Sequence, residues 1–179
     1  MKRKLFINIH LYLASFFAPV TILVAVSGGL YLVGIKGEVV QQEIYRAEQA
    51  AIDTGSASLQ ADVNALLAAA GVQDYDYEYV KVKGTTLYTR PTTRDHYVIK
   101  LAGDAATVFS ASPSLQSRLI ELHKGHGPGS FKTFQKIFAV ALVFVMASGL
   151  WLGLSAVGLR RSTTATAVAG SVLFVLLAI

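Results

Sequence analysis

Residues 11–35 read LYLASFFAPVTILVAVSGGLYLVGI, and residues 137–159 read IFAVALVFVMASGLWLGLSAVGL. Neither stretch carries a formal charge over its 25 and 23 positions. As helices rising ~1.5 Å per residue, each is roughly 35 Å long, enough to cross a hydrocarbon core of ~30 Å. A third apolar run, residues 163–179, has 17 positions and lies near the lower length limit for a span. These runs explain a composition of 53% hydrophobic and only 15% charged residues, too oily for a soluble domain of 179 residues. The chain reads as an α-helical membrane protein with three transmembrane helices and one small domain between the first two.

The net charge of +5 would fit a nucleic-acid binder, but its distribution argues against one. Lys2, Arg3 and Lys4 precede the first span, Arg160 and Arg161 separate the second from the third, and these five carry the whole excess. The other eleven Lys and Arg lie in residues 36–136 with all eleven Asp and Glu, so that region is neutral in sum. Positive charge concentrated at short loops places the N-terminus and the 160–161 loop in the cytoplasm. The middle of the chain is then outside, which for a bacterial inner membrane is the periplasm. The first run is too long for a signal-peptide core of 7–15 residues and reads as an uncleaved anchor. The absence of cysteine excludes disulfides, thiolate metal sites and covalent haem attachment.

Domain boundaries follow: residues 1–36 for the cytoplasmic N-terminus and first span, 37–130 for the periplasmic domain, 131–159 for the second span, and 160–179 for a cytoplasmic loop and short third span. Within the domain, KGEVVQQEIYRAEQA is polar and helix-friendly and is expected to extend the first span. SLQADVNALLAAAG spaces Leu59, Val63, Leu66 and Leu67 as a helix face, with Ser58 at its start and Gly71 at its end. From Tyr75 the period changes to two, and YDYEYVKVKG, TTLYTRP, DHYVIKLAG and AATVFSA read as short strands. The expectation is an α+β domain with one helix on an antiparallel sheet of three or four strands. Leu115, Leu119 and Leu122 then restore helical spacing and lead into the second span.

Four histidines stand in the chain, three of them near span ends. His10 opens the first span, while His123 and His126, in LHKGHGPG, stand ahead of the second; His96 lies in a strand. An ionisable group at the start of a span is costly without a partner or a task, although a lone interfacial imidazole can stay neutral and bond to water. His123 and His126, three apart, can share a helix face, but the glycines and proline that follow end the helix near His123 and leave His126 on a turn. With Glu121 the pair can also bind a divalent ion at the surface. A six-coordinate haem takes two axial groups, often both imidazole. One chain offers a histidine at each membrane face, and a twofold dimer supplies the mate to each, giving one haem near each face. Met146 is a thioether in mid-span, where packing is the commoner use. The spans also share a pattern, AVSGGLYLVG against MASGLWLGLS, whose small residues either let helices approach or clear room for a flat cofactor.

These segments resemble the PepSY-associated transmembrane family of inner-membrane ferric and ferric-siderophore reductases. The likeness is carried by IHLYLASFFAPVTILVAVSGGLYL, by LIELHKGHGPGSFKTFQKIFAVALVFVMASGLWL, and by the helix-then-strands domain between them, similar to a PepSY module. It covers nearly the whole chain, with Ser-Gly at 27–28 and 148–149 where Thr-Gly is more usual. The resemblance implies non-covalent haem b, about two per homodimer, held by His10 and His123. His126 has no counterpart and stands as a further ligand, a contact to the iron substrate, or neither. It also implies a ferric reductase that passes electrons from a cytoplasmic donor or a quinol to ferric iron or a ferric chelate in the periplasm. Asp74, Asp76 and Glu78 are candidate iron contacts or simply the solvated face of a strand. The alternatives are a non-enzymatic, membrane-anchored binding or inhibitory module, and an accessory metal-binding protein of an iron transporter using His123, His126 and Glu121. Neither alternative needs a histidine at position 10.

Overall fold

Two glycines end the first helix and turn the chain into a sheet. In the computed structural model, which describes residues 3–50 and 52–179, helix α1 runs Arg3–Leu32. Gly34 and Gly37 follow it with φ of 84° and 70°, values that admit glycine and resist other residues. The expected helical continuation therefore does not form. Val39–Ala47 is strand β1 instead, paired antiparallel along its length with strand β5 (Ala105–Pro113). Val39, Val40, Ile44 and Tyr45 suit a strand, and pairing satisfies an edge of β5 that a helix would leave open.

The remaining elements are helix α2 (Leu59–Ala69), strands β2 (Tyr79–Lys83), β3 (Thr86–Arg90) and β4 (His96–Ala102), and helices α3 (Leu115–His123), α4 (Gly129–Ser155) and α5 (Arg160–Ala178). The sheet has five antiparallel strands, two more than the lower expectation, in the order β1-β5-β4-β3-β2. Its alternation sorts two faces. Leu87, Ile99, Ala106 and Val108 pack with Val63, Leu66 and Leu67 of α2 to make the core. Each buried Val, Leu or Ile side chain among them contributes ~1.5–3 kcal/mol. Arg90, His96, Val98 and Ala111 belong to the opposite face, where α3 adds buried Ser117 and Ile120.

The strand expected from Tyr75 begins only at Tyr79. Asp74 has φ 56°, and Tyr77 turns inward, where its hydroxyl donates to Asn64 Oδ1 at 2.7 Å on α2. An aromatic that can bury its ring and still satisfy its hydroxyl is worth more as a clasp than as a strand residue.

Arg3–Leu32, Gly129–Ser155 and Arg160–Ala178 are each long and apolar enough to cross a membrane, with mean hydropathy of 2.0, 2.4 and 1.4. α4 starts eight residues before the apolar run and stops at Ser155; α5 takes Arg160 and Arg161 into its first turn. Lys2 lies outside the described residues. Large aliphatic side chains stay exposed along these helices, and α5 buries none. Residues up to Thr21 with Lys136–Ile179 form one unit, and Ile22–Gln135 the other.

Candidate functional site

Both repeated Ser-Gly pairs receive a histidine. In the first unit, His10 of α1 places Nδ1 2.7 Å from Ser148 Oγ of α4. Ser148 is buried, and its hydroxyl donates to the Val145 carbonyl one turn back at 3.1 Å. That commits the only hydroxyl proton, so the imidazole Nδ1–H is the donor to Ser148 Oγ. In the second unit, His123 at the end of α3 places Nδ1 3.0 Å from the Val24 carbonyl of α1 and 3.1 Å from Ser27 Oγ. A carbonyl can only accept, so here too Nδ1 carries the proton. Ser27 donates to that same carbonyl, as Ser148 does to its own.

The glycines complete each seat. A methyl group built on Gly28 would lie 3.1 Å from His123 Cε1, and one on Gly149 3.3 Å from His10 Cε1. The small residue therefore clears room for an imidazole edge. Gly153, four residues after Gly149, serves helix approach, since a methyl there would meet Thr163 Oγ1 of α5 at 2.6 Å. Of the two expectations for these small residues, helix approach holds at Gly153, and the space at Gly28 and Gly149 belongs to a histidine ring.

Each seat leaves the same chemistry. With Nδ1–H bonded to an oxygen, the neutral ring keeps its lone pair on Nε2, and neither Nε2 has a protein partner among the described residues. A metal-ligating histidine has this arrangement, with an outer oxygen fixing the tautomer and aiming the ring. Beside His123 lies a cavity of about 220 Å³ lined by Ser27, Gly28, Tyr31, Ile120, His123 and Lys124. Pockets that enclose a cofactor-sized ligand run to ~300–1,000 Å³, so a haem there needs a second surface to close over it.

His126 takes a different partner from His123. Its Nδ1 lies 2.7 Å from Glu121 Oε2, in a network where Thr92 Oγ1 donates to the same oxygen at 2.7 Å and Arg90 donates to Thr92 at 2.6 Å. Burial works against the Glu121 carboxylate, but the hydrogen bonds from Thr92 and His126, with the charges of His126 and Lys124, hold its pKa below the ordinary value. No three His, Asp or Glu side chains converge on a metal position among the described residues. The alternative surface site of His123, His126 and Glu121 is therefore not assembled among the described residues. His96 is buried, with Nδ1 2.9 Å from the Arg94 carbonyl, and burial lowers its pKa. Of the acidic trio, Glu78 accepts from Gly129 N at 2.7 Å and so caps the start of α4, where a carboxylate complements the helix dipole.

No protein-family model, curated protein or solved structure matches this chain. The serines and glycines of the two seats were legible only as a repeat, and the seat itself needed the tertiary pairing. Arg90 and Thr92 gave no sequence signal, because nothing in TTLYTRP distinguishes a buried arginine from a surface one.

Proposed function

We propose that this chain is a haem-b protein of the bacterial inner membrane that passes electrons to ferric iron, or a ferric chelate, on the periplasmic side. The observation that carries the reading is the double seat: two histidines, each with Nδ1–H held by a fixed oxygen and Nε2 left to bind. His10 and His123 would ligate through Nε2, and a second copy of the chain would supply the opposing imidazole at each position, in a homodimer. Haem b supplies the one-electron chemistry when bound. The chain's own residues do the rest. Ser148 and Ser27 with the Val24 carbonyl orient the rings and select the tautomer whose lone pair is on Nε2, and the glycines let each ring lie flush. The charge on Arg3, Lys4, Arg160 and Arg161 supports a cytoplasmic side for those helix starts. The domain between the spans runs β1, then α2, then β2 to β5, and its helix followed by four strands is consistent with a PepSY-like periplasmic module.

The test is the visible spectrum of the full-length protein purified in detergent after haem-replete expression. A sharp Soret band with split α and β bands after dithionite is expected, followed by reoxidation on adding ferric citrate. A folded, dimeric, colourless protein would overturn the haem reading, and a reduced haem that ferric citrate leaves unchanged would overturn the iron reading alone.

A further inference from the structure

The richest unassigned cluster lies on the face of the sheet opposite α2. Alternation along β2 and β3 turns Lys81 and Lys83 to the same side as Tyr88 and Arg90, in the register Lys81↔Tyr88 and Lys83↔Thr86. α3 brings Glu121 and Lys124 to that side, and His96 opens β4 beside them. Together they line a cavity of about 440 Å³, within the ~300–1,000 Å³ usual for small-molecule sites. Four cations, Lys81, Lys83, Arg90 and Lys124, thus meet a single carboxylate, Glu121. That carboxylate is already engaged by Thr92 and His126, and it lies 3.6 Å from both Arg90 Nη1 and Lys124 Nζ.

Two observations show cationic donors left over. Arg90 is 8% exposed, and its buried Nε has no hydrogen-bond partner. Buried guanidinium N–H groups are rarely left unsatisfied, and a planar oxyanion matches their geometry. The ammonium groups of Lys81 and Lys83 also have no acceptor among the described residues. We infer that this cavity binds a small ligand bearing carboxylate or phosphate oxygens, with Arg90 at its floor and the two lysines at its rim. The site stands independently of haem. The same oxygens are offered by a soluble polycarboxylate and by the phosphate of a lipid headgroup.

The deciding experiment is calorimetric titration of the full-length protein in neutral detergent at low ionic strength, with citrate and, separately, with short-chain phosphatidylglycerol and phosphatidylcholine. Saturable binding of one anion per chain is expected. Combining Lys81→Gln with Lys83→Gln, both exposed and so compatible with folding, should weaken it by about tenfold or more. Lys100→Gln, on the same sheet face but outside the cavity, should leave it unchanged. Citrate binding without the lipid assigns a soluble anion. Lysine-dependent binding of phosphatidylglycerol in preference to phosphatidylcholine assigns a headgroup. Absence of saturable binding by either probe, or equal weakening by Lys100→Gln, overturns the proposal and leaves the lysines as edge-strand charges.

Discussion

The seats of His10 and His123 are built from the same parts but differ in redundancy. His10 has one acceptor, Ser148 Oγ, itself buried between two long helices. His123 has two, Ser27 Oγ and the Val24 carbonyl, but it projects from the last turn of a nine-residue helix and is exposed. A backbone carbonyl cannot be removed by substitution, so the second seat should tolerate loss of its serine. A rigid setting with one partner and an exposed setting with two are different ways to hold one ring orientation. The contrast shows that a repeated Ser-Gly pair need not give equal dependence on its serine.

The largest expected effect comes from removing the rings themselves. Under the proposed function, with one haem at each seat of a homodimer, His10→Ala and His123→Ala should each lose about half of the bound haem, measured by pyridine haemochrome against protein. Full haem content in either variant would remove that ring from the ligand set. His126→Ala should keep both haems, since its Nδ1 is tied to Glu121, and a loss of haem there would restore it as a ligand.

Next in size are the glycines. Gly28→Ala and Gly149→Ala each press a methyl onto the ring edge, more closely at Gly28 by 3.1 Å against 3.3 Å. Both should reduce haem retention and broaden the reduced α band, with Gly28→Ala the worse. The reverse order would mean that α3 yields more easily than α1 and α4.

The serines sharpen the comparison further. Ser148→Ala should weaken haem affinity by ~10–100-fold, the usual cost of losing an outer oxygen behind a metal-bound histidine. Ser27→Ala should cost clearly less, because Val24 still accepts from Nδ1. Competitive transfer of haem to apomyoglobin measures both, and equal losses would sink the redundancy argument.

The smallest effect expected is the pH dependence of the sheet domain. The His96 pKa is lower in the fold than in the unfolded chain, so the unfolded chain takes up the proton first. Stability is full above about pH 6.5 and declines as pH falls below it. The Glu121 pKa is also lowered, so its contribution is present above the ordinary carboxylate range and is lost as pH falls through the value in the fold. Thermal unfolding followed by tyrosine fluorescence should show both declines, and His96→Gln should flatten only the first. An unchanged first decline in that variant would put its origin elsewhere.

Much of this was written into local pattern. Uncharged runs longer than a bilayer, the Leu59–Leu67 helix face and the alternation of β3 to β5 need only neighbours in sequence, because helix period and burial repeat locally. The Val39–Ala47 strand was not legible, since its polar residues fit a helix equally well and only the open edge of β5 selects a strand. Nor was the inward turn of Tyr77, which depends on Asn64 of α2.

The candidate site divides in the same way. Sequence alone identified His10 and His123 and noticed the two Ser-Gly pairs. It could not match ring to pair, because the partners lie 138 and 96 positions apart and hydrogen bonds depend on distance in space. Only the tertiary structure seated His10 on Ser148 and His123 on Ser27, and turned His126 to Glu121. It also gathered Arg90, Lys81, Lys83 and Lys124 around one cavity, since a cation's role depends on which other charges the fold brings near it.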